Sequence, residues 1–421
     1  MKMSTQRLTD KTNNLKNIFR TVQKHGPIER KQIQELTQLS WGTVSQYTNA
    51  LLQSNVLCQS MVTSHSAGKT PTILDINGND HYIIGVDFNF SFIRVAVLDL
   101  KGTPIKSHIT PVTDGSRVVQ LLIESLEHII SQFQNKNILA ISISVQGSID
   151  EDHGIVLYLS FEPTWRNLTL KEAVESRFGI QTFTFHDTDC VLVAEKYFGS
   201  AIREEHENIV LLNANMGLGM SFMMRSKLYT STFGHSGELG HITVHEDGLP
   251  CSCGKRGCLE VYGSKMGIVS RFADEVNRGC KTSLDTDEMF SITYESIRDH
   301  AVAGDSLCLS LFQQAGRYLG NALASVATIL EPDIIILYGG FLGDRDLYQA
   351  DLEQTFQSNV YTCNKTSLCY SDLPSTAPVL GAAMYAHEKI ITDFLLKHVI
   401  DADSEKNEPP EEHKDSVRAT K

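Results

Sequence analysis

The chain has 421 residues, 41% of them hydrophobic, and a formal net charge of −13. That length supports two or three domains with full cores, and the composition is that of a soluble globular protein rather than a disordered one. No apolar run approaches the roughly 18 residues a membrane helix needs, no secretory leader is visible, and the clustered cysteines predict a reduced, cytoplasmic setting without membrane attachment. Acidity on this scale argues against a nucleic-acid partner. The charge is uneven, however: through residue 80, nine Lys/Arg oppose five acids, a local balance of +4. A basic module ahead of an acidic body is the pattern of a DNA-binding head on a sensing domain.

Residues 13–53 predict three helices. Leu15, Ile18, Phe19 and Val22 recur at helical spacing, and Gly26-Pro27 stops that helix. Glu29 to Leu36 gives a short second helix. Ser40 is a candidate N-cap for a third, with Val44, Tyr47, Leu51 and Leu52 as its apolar side. Helix, tight turn, helix is the helix-turn-helix pattern, although any three-helix bundle shares it. Val56 to Met61 alternates as a strand, Ser64 to Lys69 turns, and Pro71 to Ile76 returns, which makes a wing. In such a head the third helix enters the major groove with its N-terminal residues leading. The candidate DNA contacts are Ser40, Trp41, Thr43, Ser45 and Gln46, with Gln46 suited to adenine edges. Trp41 is equally compatible with a core position. Lys31 and Lys69 suit phosphates better than bases.

After residue 78 the pattern changes. Tyr82 to Phe88 and Phe92 to Leu98 predict a β-hairpin. Ile141 to Val145 followed by Gln146-Gly147-Ser148 predicts a strand and a glycine turn. Asp187 stands before a helix containing Val191 to Glu195, as its cap or as a ligand contact. Residues 264–330 read as helical, including a long helix from Leu311 to Leu330. From Asp401 the tail holds seven acids against four basic residues and has no apolar face, which predicts disorder.

The densest chemistry lies between Gly234 and Glu260. Glu238-Leu239-Gly240-His241 precedes Cys251-Ser252-Cys253-Gly254-Lys255-Arg256-Gly257-Cys258-Leu259-Glu260. Three cysteines within eight positions, spaced by glycines, can converge on one ion, and His241 supplies a fourth ligand. Cys3His is a closed structural zinc set. The bland alternative is free cysteines in a flexible loop. A metal would draw Glu238 and Glu260 together and leave the second imidazole nitrogen of His241 free for an outer partner. Sugar hydroxyls, which donate and accept, suit two carboxylates and an imidazole N–H.

This motif resembles the signature of the ROK family (repressors, open reading frames and sugar kinases), and the resemblance runs from about Asn14 to about His387. It implies an α/β, two-lobed actin-like (ribonuclease H-like) sugar kinase fold, preceded in the repressor branch by a small winged helix-turn-helix domain. The implied division is 1–78 for the head, 79–197 for the first lobe with a returning helix 377–395, 198–376 for the second lobe, and 401–421 for the tail. It further implies one structural zinc ion on His241, Cys251, Cys253 and Cys258. Sugar contacts would come from Asp187, Glu238, His241 and Glu260, with Gly147 nearby. Asp187 matches the kinase general base, but its family neighbour asparagine is His186 here. Pro163-Thr164-Trp165 matches another sugar-side segment, with Phe161 replacing an asparagine. The phosphate side departs further. Asp87-Phe88-Asn89-Phe90-Ser91 lacks both glycines of the family's first phosphate loop, and Asn213 to Gly219 lacks two of the second; Gly217 and Gly219 remain to keep the chain turning. The family's adenosine-side loop is better kept, as Leu337-Tyr338-Gly339-Gly340.

These features together predict a sugar-responsive transcriptional repressor of carbohydrate-utilisation genes, without kinase activity. It would bind operator DNA and a sugar effector as a homodimer or tetramer. The alternatives are an ATP-dependent sugar kinase with an accessory DNA-binding module, and a constitutive DNA-binding protein with a decayed sugar pocket.

Overall fold

Three helices lead the chain, Lys2–His25, Arg30–Thr37 and Trp41–Gln53, in a computed structural model that describes residues 2–61, 72–159, 162, 164–230, 236–287 and 289–405. The first helix begins eleven residues before the expected start at residue 13, because a polar extension carries no periodicity to read. Leu15, Ile18, Phe19 and Val22 are buried as expected. Ser40 caps the third helix, its Oγ accepting from the Thr43 N–H at 3.2 Å. Strands Leu57–Met61 and Thr72–Ile76 pair antiparallel, with Met61 opposite Thr72. A two-residue strand at Ile28–Glu29, where a helix start was expected, pairs with Thr72–Ile76 as well. The turn of the expected wing, with Lys69, lies outside the described residues.

The body holds two five-stranded sheets with the same plan. In the first, the order is Thr182–His186, Asn137–Val145, His81–Phe88, Phe92–Asp99, Pro104–Pro111. In the second it is Ser367–Tyr370, Ile334–Tyr338, Ile209–Ala214, Leu218–Met224, Lys227–Leu228. Each sheet joins a parallel half to an antiparallel half at its third strand. His81–Phe88 and Ile209–Ala214 are buried throughout, as central strands covered on both faces must be. This is the expected α/β, two-lobed actin-like architecture.

Two helical expectations change. The 264–330 stretch divides into Lys265–Asn277, Tyr294–Val302 and Ser306–Leu330, the last capped by Asp305 accepting from the Cys308 N–H at 2.9 Å. The final helix runs from Ala377 to Glu405, so Asp401 to Glu405, read as disordered tail, are helical; residues 406–421 lie outside the described residues.

That final helix also enters the head. Ile391 and Leu395 share one apolar core with Leu15, Ile18, Phe19, Val44 and Leu51. Lys101 Nζ reaches Asp75 Oδ2 at 2.7 Å, and Gln23 Nε2 donates to the Leu100 carbonyl at 3.1 Å. The head is therefore packed onto the first lobe rather than tethered to it.

Candidate functional site

A cavity of about 390 Å³ lies in the cleft between the lobes. Asp187, Glu238, His241, Glu260 and Gly147, the five residues expected to meet a sugar, all line it. Gly147 adopts φ +97°, and a Cβ there would stand 2.7 Å from the Tyr158 carbonyl oxygen, so both conformation and space require glycine. Gly217 and Gly219 serve a different purpose from the one expected, since neither has positive φ. A Cβ on Gly217 would lie 2.6 Å from Glu260 Oε2, and one on Gly219 would lie 2.5 Å from Thr188 Oγ1. They make room for side chains of the site.

His186, not Asp187, caps the helix Asp187–Phe198: its Nδ1 accepts from the Thr188 N–H at 3.4 Å. Asp187 is thereby left facing the cavity. Its Oδ1 accepts from Thr188 Oγ1 at 3.2 Å and its Oδ2 from Asn213 Nδ2 at 3.5 Å. Burial works against a charged His186, but the carboxylates of Asp187, Asp189, Glu238 and Glu151 outweigh it and raise its pKa. Burial raises the Glu260 pKa, with His241 and the Leu218 N–H opposing and Glu238 adding. The Leu218 N–H donates to Glu260 Oε2 at 3.1 Å and fixes its orientation.

His241, Cys251, Cys253 and Cys258 converge, with one ligand atom from each lying within 4.8 Å of all the others. This cluster can hold a metal ion. A tetrahedral zinc with Zn–S of ~2.3 Å places sulfurs ~3.7 Å apart and sulfur and nitrogen ~3.6 Å apart. Cys253 Sγ and Cys258 Sγ are 3.7 Å apart, and Cys251 Sγ lies 3.6 Å from His241 Nδ1. The donor set fits the ion. Burial, then the neighbouring thiols, push the Cys258 thiol up to about 12, so without a cation these sulfurs resist ionising together. His241 turns Nδ1 to the sulfurs and Nε2 to Glu238 Oε2, 3.8 Å away, so one imidazole links the metal cluster to the cavity. Lys255 Nζ donates to the His241 carbonyl at 2.6 Å and holds the loop from outside.

A second cavity, of about 660 Å³, adjoins the first on the side of the altered phosphate loops. Asp87, Phe90, Asn213, Asn215, Gly339 and Gly340 line it. Asn215 Oδ1 accepts from the Gly340 N–H at 2.6 Å while its Nδ2 donates to Asn213 Oδ1 at 2.8 Å. Asparagine side chains thus take up the Gly340 amide and each other's polar atoms.

On the head, Trp41 is 52% exposed, which removes it from the core. Gln46 is exposed, and Thr43 and Ser45 are half-buried. Ser40 and Thr43 hydroxyls bond each other at 2.8 Å, so capping occupies them in part. Lys31 is exposed and lies 3.9 Å from Glu35, a spacing worth little in water. Arg30 and Asn49 pair outside the set expected to meet DNA. Arg30 Nε donates to Thr48 Oγ1 at 2.9 Å and Nη2 to Asn49 Oδ1 at 2.8 Å, beside Gln46. Trp165 is fully buried against Phe88, 4.6 Å between ring centroids, and packs rather than binds. Phe161 and Pro163 lie outside the described residues. Among the described residues, no helix is long and apolar enough to cross a membrane.

A two-lobed sugar-kinase-like body, with a glutamate–histidine–cysteine loop in its cleft and a helix-turn-helix head, defines the class. Residues 83–389 match the ROK family, and the chain belongs to it. The xylose repressor of Bacillus subtilis (strain 168) is 29% identical over 376 residues, 87% of this chain and 93% of that one. The DNA-binding transcriptional dual regulator NagC of Escherichia coli (strain K12) is 24% identical over 390 residues, 91% and 94% of the two chains. Among solved structures, a ROK family transcriptional regulator, homolog of the E. coli MLC protein, superposes with a TM-score of 0.79 at 24% identity, covering 93% of this chain and 99% of its own. A ROK family glucokinase from Streptomyces griseus, in complex with glucose and AMPPNP, reaches 0.60 at 24% identity, covering 72% of this chain and 98% of its own. The regulator is matched over nearly the whole chain, the glucokinase over about three quarters of it.

Proposed function

We propose that this chain is a sugar-responsive transcriptional repressor of carbohydrate-utilisation genes. The observation that carries the reading is the joining of a helix-turn-helix head, packed into the body's last helix, to a cleft cavity lined by Asp187, Glu238, His241 and Glu260. The named repressors among its relatives, similar over about nine tenths of the chain, support it. Residues 1–78 form the DNA-binding head, 79–197 with 377–395 the first lobe, and 198–376 the second. Ser45, Gln46 and Trp41 meet base edges, with Ser40 and Thr43 at the helix start; Lys31 and Lys69 meet phosphates. One structural zinc on His241, Cys251, Cys253 and Cys258 orders the loop that carries Glu238 and Glu260. The protein acts as a homodimer, or a pair of them, because two-fold symmetry matches a palindromic operator.

Kinase activity is lost in this reading, because Phe90 and Ala214 remove donors and room that the γ-phosphate and magnesium need. The alternative, an active sugar kinase, is favoured by Asp187 standing on the wall between the two cavities. Two measurements decide. Operator titration with candidate sugars should show affinity changing with one of them, and none of those sugars should be phosphorylated above the level of Asp187→Asn. Sugar-indifferent operator binding refutes the sensing role; phosphorylation above that level restores the kinase.

A further inference from the structure

The second cavity is the larger of the two, and it shares Gln146, Asp187, Asn213 and Asn215 with the first. A ligand can cross that shared wall without leaving the cleft. We propose that the second cavity takes a further sugar unit, so that the effector is a neutral di- or oligosaccharide with one unit in each cavity. This rests on the sugar-effector reading above.

The chemistry of the wall is the first argument. Phe90 and Phe92 bring aromatic carbon to this wall, and Asn89 and Gln146 bring amide groups. A sugar presents a C–H face to rings and hydroxyls to amides, so it uses both kinds of surface at once. The second argument is unmet polarity. Gln146 Oε1 and the Tyr370 hydroxyl are buried without a hydrogen-bond partner among the described residues, and both side chains belong to this cavity's lining. Buried polar atoms are normally satisfied, and a hydroxylated ligand in an adjusted site supplies partners at both ends.

The third argument is charge. Asp187 is the single charged group of the four shared residues, and Asp87 stands further along the same wall. Burial first, and Asp187 in addition, raise the Asp87 pKa to about 7 against the pull of Arg94. A polyphosphate placed between them would add like charge in a poorly solvated cleft, and a neutral saccharide adds none. The cations of this cavity are already engaged: Lys265 Nζ faces Glu295 at 3.6 Å and the Tyr294 ring at 4.5 Å, while Arg345 stacks on Tyr370 at 4.2 Å. The Gly340 N–H is spent on Asn215.

The test is calorimetric titration of the full chain with matched pairs: xylose and xylobiose, glucose and cellobiose or gentiobiose, N-acetylglucosamine and N,N′-diacetylchitobiose. ATP and adenosine are titrated alone and on top of saturating monosaccharide. At least one disaccharide should bind about tenfold or more tighter than its own monosaccharide. Phe90→Ala should bring that ratio back towards one. Arg345→Ala should do the same by unsupporting Tyr370, and it serves if the first variant fails to fold. Disaccharides no tighter than their monosaccharides overturn the proposal, as does a nucleotide that binds equally well on top of saturating monosaccharide and of saturating disaccharide. If saccharides of neither length bind, the sugar-effector reading itself falls and takes this inference with it.

Discussion

His387 gives a prediction whose size follows from its surroundings. It sits on the last helix, 2% exposed, and neither ring nitrogen has a partner among the described residues. Its ring stacks on Phe19 of the first helix, with 5.8 Å between centroids, so a proton there puts charge into the seam between head and body. Burial pushes its pKa from 6.5 down to about 4, with Arg20 pushing the same way and Glu388 opposing. The unfolded chain takes up that proton near pH 6.5, and the folded chain holds out until about 4. Since the folded value is the lower one, stability present above pH 6.5 is lost as pH falls through this window. Each pH unit is worth about 1.4 kcal/mol, so the full window costs about 3 kcal/mol, and the drop from pH 7.5 to pH 5 about 2 kcal/mol. Urea unfolding of wild type and His387→Leu, followed by circular dichroism at those two pH values, measures the difference. Wild type should lose about 2 kcal/mol more than the variant on acidification. Equal losses in the two proteins would show that the buried imidazole is not the acid-sensitive group.

Purified, unchelated protein should carry about one zinc per chain, and Cys258→Ser should lose it together with thermal stability; metal-free protein of undiminished stability refutes the cluster's role. Gly217→Ala should weaken sugar binding by about tenfold or more, because its Cβ would crowd Glu260 Oε2; unaltered affinity would remove Glu260 from the ligand contacts. Gln46→Ala should relax operator choice at one base pair by ~1–3 kcal/mol, whereas an equal loss on every sequence would reassign Gln46 to the backbone. Trp41→Ala should weaken operator binding without lowering the melting temperature, since the ring is half exposed in the free protein.

Much of this was legible in the sequence, and the failures have physical causes. The cysteine cluster was readable because metal geometry demands a spacing that few sequences meet. The buried strands and the head's helices were readable because burial imposes period. The polar start of Lys2–His25 was not, since a helix without an apolar face leaves no pattern. The last helix beyond Asp401 was lost for the same reason, charge standing in for disorder. Gly217 and Gly219 read as turns in the sequence, because sequence does not say whether a glycine is needed for φ or for space. The Asn215–Gly340 bond joins residues 125 positions apart, and no local reading reaches that far.

How a sugar could move the recognition helices follows from what Asp187 is attached to. Asp187 opens the helix Asp187–Phe198, which packs on the last helix so closely that a Cβ on Gly381 would stand 1.7 Å from the Cys190 carbonyl oxygen. The last helix then places Ile391 and Leu395 in the head's own core. The connection Asp75 to His81 is thus only one of several attachments, and head, last helix and first lobe form one packed unit. Glu238, His241 and Glu260 belong to the other lobe, so a sugar touching both sets prefers one cleft angle. In the proposed dimer, turning one lobe on the other would alter how far apart two such units set their third helices, and half-site spacing tolerates little error. A coupling of ~1–3 kcal/mol is enough for induction, and operator must then change sugar affinity by the same factor as sugar changes operator affinity. Glu238→Gln and Asp187→Asn should each leave operator affinity without sugar nearly intact and abolish the response to it, because both side chains are remote from the head's core. Operator titrations with and without sugar read both quantities. A variant that still responds fully places the effector somewhere other than this cleft, and one that loses operator binding without sugar shows that these carboxylates hold the lobes rather than the ligand.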